Sequence, residues 1–233
     1  MPANPIRPRA RCDDAVAVTT DPHRLFTERH AAYVRFIRLV RYPQGLRAFF
    51  LASAVLRANL RVLDAGCGTG VVTLALRDAL MRRGFSPRSL HALDLTPAML
   101  DQFRGTLQRR GIDGIELTQA DVLHLDALPA SWTDYDLIVT ASMLEYVPRD
   151  RLVEALAGLR ARLSSGGRFV LFMTRRNPFT RLVIGRWWQS NLYSAAELSD
   201  AFARAGFSHV AFRAFPPAAI HLTAWGRVVE AQR

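Results

Sequence analysis

One stretch of the sequence, Val62 to Leu76, restricts the fold more than any other. It reads VLDAGCGTGVVTLAL: a short apolar run ending in an acid, three glycines at alternate positions, and the apolar spacing of a helix start. This order predicts a buried strand that turns tightly into a helix. Glycine in such a turn allows backbone angles that side chains forbid and lets a ligand approach the main chain closely. The stretch therefore predicts a nucleotide-type site at the carboxyl edge of a parallel sheet.

The residues around these glycines distinguish between nucleotides. A pyrophosphate fingerprint is G-x-G-x-x-G/A with an acid about 20 residues on, whereas this sequence has G-x-G-x-G and places Val71 at the last position. Asp64 precedes the glycines, and the next acid at a strand end is Asp94. A carboxylate at the opening of the loop would repel a diphosphate and attract an ammonium group. At these residues the chain resembles the class I S-adenosylmethionine-dependent methyltransferases, whose first motif is an acid followed by G-x-G-x-G. The alternative interpretation of this stretch is a glycine turn that binds no ligand.

The order of elements predicts the fold class. Strands and helices alternate without a break from Arg61 to Thr174, which indicates a parallel sheet covered on both faces with right-handed crossovers. A helix over 195–205 and two closely spaced strands, near 209–215 and 220–230, follow and predict a hairpin. The expected fold is α/β: a doubly wound, mostly parallel seven-stranded sheet with one antiparallel edge strand and helices on both faces. The resembled family has this architecture.

Three regions are predicted along the chain. Residues 1–20 contain prolines and arginines without apolar periodicity, which is typical of a disordered tail. Residues 21–58 are expected to form an N-terminal helical cap of two helices, separated at Pro43. Residues 59–233 are expected to form the methyltransferase-type domain. It carries an insertion near 175–193, where members of the resembled family often build a substrate lid.

The resemblance implies S-adenosyl-L-methionine as cofactor and assigns contacts to it. The first acid and the glycine loop would hold the methionine part. Asp94 would accept the ribose hydroxyls, although an acid at this place can instead cap the following helix. Asp121 would accept from the adenine amine, beside apolar residues that contact the ring, and Thr140 would lie beneath the reactive methyl group. The implied cofactor-binding residues are Asp64, Ala65, Gly66, Cys67, Gly68, Asp94, Leu95, Met99, Asp121, Val122 and Thr140.

Catalytic residues are harder to assign because a sulfonium carries an activated methyl group. Its transfer depends mainly on alignment and exclusion of water, and a base is needed only when the acceptor atom starts protonated. No catalytic triad is recognisable, so the catalytic group stays unknown, with Glu145 and Tyr146 after the fourth strand as candidates. The candidate substrate-binding residues are Tyr33, Tyr146, Arg175, Trp187 and Trp188. The alternative is that the aromatic residues among them pack in the core and that the arginine is solvated.

Composition limits the partners. A net charge of +11 invites a nucleic-acid partner, but all 31 basic residues are arginines dispersed over many helices, so nucleic acid is not the expected substrate. One cysteine lies in the tail and one in the glycine loop, which predicts neither a disulfide nor a metal site. No run approaches the roughly 18 apolar residues of a membrane helix, and no secretory signal layout begins the chain, so a cytoplasmic location is expected.

The expected function is transfer of a methyl group from S-adenosylmethionine to a small apolar or aromatic acceptor of lipid-like or quinone-like character. The Trp- and Arg-containing insertion is expected to clasp this substrate or to contact anionic lipid. Methylation of RNA and binding of S-adenosylmethionine without methyl transfer are the two alternatives. The accepting atom and the oligomeric state do not follow from the sequence.

Overall fold

A single seven-stranded sheet forms the centre of the structure, a computed structural model that describes residues 35–177 and 190–233. The strands lie in the order β3-β2-β1-β4-β5-β7-β6. Their bounds are β1 (Arg61–Ala65), β2 (Ser89–Asp94), β3 (Ile115–Gln119), β4 (Tyr135–Ala141), β5 (Leu163–Thr174), β6 (Ser208–Arg213) and β7 (Gly226–Gln232).

The first five strands pair in parallel, and the chain changes winding direction between β1 and β4. β7 runs antiparallel to both of its neighbours, β5 and β6. The predicted fold class is therefore confirmed, with the single antiparallel strand lying one place inside the edge strand β6. Ligands of doubly wound sheets bind beyond the carboxyl ends of the strands at such a switch point, here the ends of β1 and β4.

Five helices connect these strands in the described residues, together with a helical turn over 35–39 and three short 3-10 helices. α5 begins with a capping box. The Ser194 hydroxyl accepts from the Glu197 backbone N–H, and the Glu197 carboxylate accepts from the Ser194 backbone N–H. The helices are α1 (Tyr42–Ala52), α2 (Val71–Arg82), α3 (Pro97–Arg110), α4 (Leu152–Ala161) and α5 (Ala195–Arg204); the 3-10 helices are Leu125–Ala127, Arg149–Arg151 and Pro217–Ala224.

The two faces of the sheet carry separate apolar clusters. Val62, Leu137 and Val170 face α1 and α2, whereas their neighbours in sequence, such as Leu63 and Ile138, face α4 and α5. Successive side chains of a strand point to opposite faces, so a strand that is covered on both faces is apolar almost throughout. The nearly continuous apolar run of β4 fits its burial on both faces.

The predicted separation of two N-terminal helices at Pro43 is wrong. Pro43 lies in the first turn of α1, where a missing backbone N–H costs nothing. The chain instead changes direction at Arg41, whose φ of 55° is left-handed. Gly45 lies inside α1, where an added Cβ would lie 2.0 Å from Leu222 Cδ1, so this glycine allows α1 to approach the 3-10 helix over 217–224 closely.

Candidate functional site

The glycine loop between β1 and α2 has the conformation that its sequence predicts. Gly66, Gly68 and Gly70 all have left-handed φ angles, of 76°, 53° and 84°. The backbone N–H groups of Gly66 and Cys67 donate to the carbonyl oxygen of Leu93 at 2.8 and 2.9 Å. These bonds fix the loop against the carboxyl end of β2, so the ends of both strands belong to one site.

The three glycines of the loop meet different surroundings. An added Cβ on Gly66 would lie 2.3 Å from Met143 Cγ, and one on Gly70 would lie 2.1 Å from the Phe103 ring. On Gly68 an added Cβ would meet nothing within 4 Å. The loop is thus packed at both ends and open in its middle, where a ligand can approach the main chain.

Asp94 ties the loop to the start of α3. Its Oδ2 accepts from the Gly68 backbone N–H at 2.8 Å, and its Oδ1 accepts from the Thr96 backbone N–H at 2.9 Å. Thr96 is the residue that precedes α3. Asp94 therefore does bind the start of the helix, which was the alternative role for this acid. The second oxygen of the same carboxylate holds the glycine loop.

Asp64 is the most unusual charged group of the site, because its side chain is fully buried. Its Oδ2 accepts from Thr73 Oγ1 at 2.5 Å, and its Oδ1 has no hydrogen-bond partner among the described residues. Burial is the main cause that raises the pKa of Asp64 to about 7; the Thr73 hydrogen bonds lower it, and the nearby Asp94 carboxylate adds to the increase. An unpaired buried carboxylate oxygen beside a second carboxylate fits a cationic ligand and disfavours a diphosphate.

The remaining predicted cofactor contacts lie near this loop or in the core. Asp121 follows β3 and accepts from the Leu123 backbone N–H at 2.9 Å. Met99 and Val122 are buried, whereas Leu95 is 41% exposed. Thr140 is fully buried in β4, and its Oγ1 has no partner in the described part of the chain. Cys67 is buried, which raises the pKa of its thiol well above the usual value.

A cleft lies beside the carboxyl ends of β4 and β5. It measures about 700 Å³ together with its solvent-filled mouth. Its polar lining consists of Ser142, Glu145, Tyr146 and Thr174. The other lining side chains are apolar or aromatic: Phe36, Ile37, Val40, Tyr42, Met173, Leu222 and Trp225. Gly226 contributes its backbone. The segment after β4 links this cleft to the glycine loop, because Met143 packs on Gly66 while its neighbours line the cleft.

Comparison with known proteins agrees with this geometry. Residues 62–167 match the family described as methyltransferase domain. This segment belongs to the S-adenosylmethionine-dependent methyltransferase family. S-adenosylmethionine is the cofactor of this family, and the loop, the unpaired Asp64 oxygen and the open space over Gly68 fit it.

Two curated relatives illustrate the similarity. Carboxy-S-adenosyl-L-methionine synthase of Chromohalobacter salexigens is 34% identical over 122 residues, covering 52% of this chain and 42% of that protein. Malonyl-[acyl-carrier protein] O-methyltransferase of a Paenibacillus species is 30% identical over 146 residues, covering 60% of this chain and 50% of that protein. This chain therefore spans half or less of the length of these relatives.

A solved structure shows the same fold. Magnesium protoporphyrin IX methyltransferase from Synechocystis, with SAH bound, superposes with a TM-score of 0.59 at 15% identity, and the match covers 83% of each chain. At this identity the likeness concerns the fold alone.

Glu145 holds three segments of the chain together. Its side chain is buried, its Oε1 accepts from the Thr174 backbone N–H, and its Oε2 accepts from Thr174 Oγ1 at 3.0 Å. Its backbone carbonyl accepts from the Asn191 backbone N–H at 2.8 Å. Burial raises the pKa of Glu145 to about 7 against the opposing effect of the Thr174 hydrogen bonds. The loop after β4, the end of β5 and residue 191 are thus fixed to one another.

We expect Thr174→Val to destabilise the protein more at alkaline than at acidic pH. The lost hydroxyl donates to a carboxylate above the pKa of Glu145, and a charge-assisted hydrogen bond contributes about 2 kcal/mol, against about 1 kcal/mol for a neutral one. Thermal unfolding of both proteins at about pH 8 and about pH 5 measures the difference. Thr140→Val is the matched control, because its buried hydroxyl has no partner among the described residues and its loss should not destabilise. An equal loss for Thr174→Val at both pH values would contradict the charged state of Glu145.

The predicted substrate residues are only partly brought together. Tyr146 lines the cleft, and Arg175 lies beside it, with Nη1 donating to the Thr223 carbonyl at 3.2 Å. Tyr33, Trp187 and Trp188 lie outside the described residues, as do residues 1–20 and the middle of the predicted insertion. No group of three or more His, Cys, Asp or Glu residues in the described ranges could hold a metal ion. Among the helices of these ranges, none is both long enough and apolar enough to cross a bilayer.

Sequence reasoning missed the partners that hold the site residues. Thr73 lies one turn into α2 and binds Asp64, and Thr174 at the end of β5 binds Glu145. A polar residue on the buried side of α2 was the available signal for Thr73. No signal in the sequence indicated that Phe36 and Trp225 are in contact, because they lie near opposite ends of the chain. Their rings pack against each other in the cleft wall.

Proposed function

We propose that this methyltransferase transfers a methyl group from S-adenosylmethionine to a small apolar or aromatic acceptor, lipid-like or quinone-like, that binds in the cleft. The observation that carries the proposal is the segment from Ser142 to Tyr146. Met143 packs on the glycine loop while Ser142, Glu145 and Tyr146 line the cleft. An acceptor in the cleft would therefore lie next to the cofactor site.

The chain supplies complementary groups for the cofactor. When bound, S-adenosylmethionine provides a methyl group that its sulfonium has already activated. Asp64 offers an unpaired carboxylate oxygen to the ammonium group, and Asp94 lies at the end of β2, where it can accept from ribose hydroxyls. The open space over Gly68 lets the ligand approach the main chain. Asp121 and its apolar neighbours remain the proposed adenine contacts.

The cleft supplies apolar surface and exclusion of water for the acceptor. Phe36, Ile37 and Val40 come from the described part of the N-terminal cap, and Leu222 and Trp225 come from the 3-10 helix and the residue after it. Glu145 acts as a positioning residue, because both of its oxygens accept hydrogen bonds from Thr174. A base is not needed for acceptors that present an ionised or carbanionic atom.

Two measurements test the proposed function. Calorimetric titration of the purified chain with S-adenosylmethionine and with nicotinamide dinucleotides should show binding of the first alone. A panel of phenols, quinols, fatty acids and RNA is then screened for release of S-adenosylhomocysteine, and an apolar phenol or quinol should give it. Release with RNA alone would overturn the acceptor class, and cofactor binding without release on any member would indicate a binding protein.

We expect Gly68→Ala to weaken the binding of S-adenosylmethionine by about tenfold or more. The added methyl group would occupy the open space that the ligand needs. Gly84→Ala is the matched control, since Gly84 also has a left-handed φ, of 68°, and open space around it. Both variants should lose about 1 kcal/mol of stability through backbone strain. Equal cofactor affinity in both variants would contradict a ligand at Gly68.

A further inference from the structure

Exposed arginines and exposed aliphatic side chains share one surface next to the cleft. Arg35, Arg38 and Arg41 are exposed, Leu39 between them is 80% exposed, and Ile220 is 55% exposed. We call these five residues the N-terminal face. Both the arginines and the two aliphatic side chains are therefore open to a partner of this surface.

Two contacts make the N-terminal face a single surface. The rings of Phe36 and Trp225 pack edge to face with centroids 5.7 Å apart, and His221 Nε2 lies 2.9 Å from the carbonyl oxygen of Val40. The helical turn over 35–39 is thereby attached to the 3-10 helix over 217–224. The inner sides of these two segments form the apolar wall of the cleft, through Phe36 and Leu222 among others.

The charge around this face has one sign. From residue 29 to residue 63 the sequence contains no acid, and its described part, 35–63, contains six arginines. The Arg57 side chain forms an ion pair with Asp136, to which the Arg61 backbone N–H also donates. The arginines of the N-terminal face have no ion pair within the described ranges. The 3-10 helix over 217–224 contributes neither an acid nor an arginine.

We propose that the N-terminal face docks on an anionic phospholipid bilayer. The arginines would lie at the phosphate groups, and Leu39 and Ile220 would enter the boundary of the acyl chains. Aliphatic side chains between arginines favour a lipid surface over an acidic protein. Docking in this orientation would bring the cleft wall to the membrane, where an apolar acceptor dissolves. The docking itself requires neither cofactor nor methyl transfer, so it stands or falls independently of the proposed function.

Co-sedimentation of the full chain with vesicles, without cofactor or acceptor, tests the docking. We expect binding to phosphatidylcholine vesicles that contain phosphatidylglycerol, no binding to phosphatidylcholine alone, and a loss of binding as salt is added. Each arginine removed should weaken the partition about fivefold, so Arg35→Gln/Arg38→Gln/Arg41→Gln should weaken it about 100-fold. Leu39→Ser should weaken it by about tenfold while keeping the charge.

The matched control is Arg82→Gln/Arg88→Gln/Arg110→Gln, which removes the same charge from exposed arginines at the ends of α2 and α3 and just before β2. The control variant should bind vesicles within about twofold of the unmodified protein. Equal weakening by both triple variants would overturn the proposal in favour of net charge alone, and absence of binding to phosphatidylglycerol vesicles would also overturn it. Binding to soluble polyglutamate that equals vesicle binding and ignores Leu39→Ser would indicate an acidic protein partner instead. Circular dichroism melting of each variant verifies that it is folded.

Discussion

Asp64→Asn should stabilise the protein above about pH 7 and at the same time weaken its binding of S-adenosylmethionine. Burial raises the pKa of Asp64 from 3.8 to about 7. A carboxyl whose pKa is higher in the folded state stabilises the fold while protonated, and this contribution is lost as the pH rises through the folded pKa. This difference in pKa between the unfolded and folded states means that the ionised carboxylate lowers the free energy of unfolding by about 4 kcal/mol at alkaline pH.

Asparagine at this position avoids that loss without changing the shape of the side chain. Its Oδ1 can still accept from Thr73 Oγ1, so we expect a gain of about 3 kcal/mol at pH 8 and almost none at pH 4. The cofactor, in contrast, loses a negative charge opposite its ammonium group, and its affinity should fall more than about tenfold. We therefore expect the ionised Asp64 carboxylate both to destabilise the fold and to strengthen the binding of the cofactor.

Thermal unfolding from about pH 5 to about pH 9, together with calorimetric titration of the cofactor, measures both effects. The melting temperature of the unmodified protein should fall as the pH rises from about 5 to about 7 and level off above that, and that of Asp64→Asn should stay nearly flat. Asp101→Asn, at an exposed position in α3, is the control and should change neither quantity. A variant that is less stable at alkaline pH would mean that the carboxylate is ionised and paired in the folded protein. Unchanged affinity would remove Asp64 from the cofactor site.

The parts of the site that could be predicted from the sequence depend on local spacing. A strand, an acid, a glycine turn and a helix follow one another within the stretch Val62 to Leu76, and β1 and α2 lie on either side of the turn as expected. Asp94 was identified in the same way, because a helix start follows directly after an apolar strand. Burial on both faces was predictable for β4, since an apolar run of its length fits only the centre of a parallel sheet.

The remaining parts depend on contacts between distant residues. Proline can end one helix or begin the next, and only the packing of α1 against its neighbours decided that Pro43 begins one. The cleft wall joins Phe36 to Trp225, which no local spacing relates. Glu145 was a catalytic candidate because of its place after β4, yet its partner Thr174 comes from another strand and makes it a positioning residue. Its buried state could not be read from the sequence.

Gly70→Ala should destabilise the protein by about 2–4 kcal/mol. A left-handed conformation at a residue with a Cβ costs about 1 kcal/mol, and the added methyl group would lie 2.1 Å from the ring of Phe103. Phe103 is fully buried, so its ring cannot move into solvent, and overpacking of a core typically costs about 1–3 kcal/mol. Gly84→Ala has the same strain without the clash and should cost about 1 kcal/mol alone.

A double-mutant cycle separates the clash from general damage to the loop. Phe103→Leu removes the ring atoms that an alanine at position 70 would meet, so the doubly substituted protein should be more stable than the sum of the single effects predicts, by about 2 kcal/mol. Urea unfolding of the four proteins measures this coupling free energy. Additive effects would contradict the contact, because they would mean that the loop had moved away from α3. A doubly substituted protein that is more stable than the sum predicts would instead mean that Gly70 is required for the close packing of the glycine loop on α3.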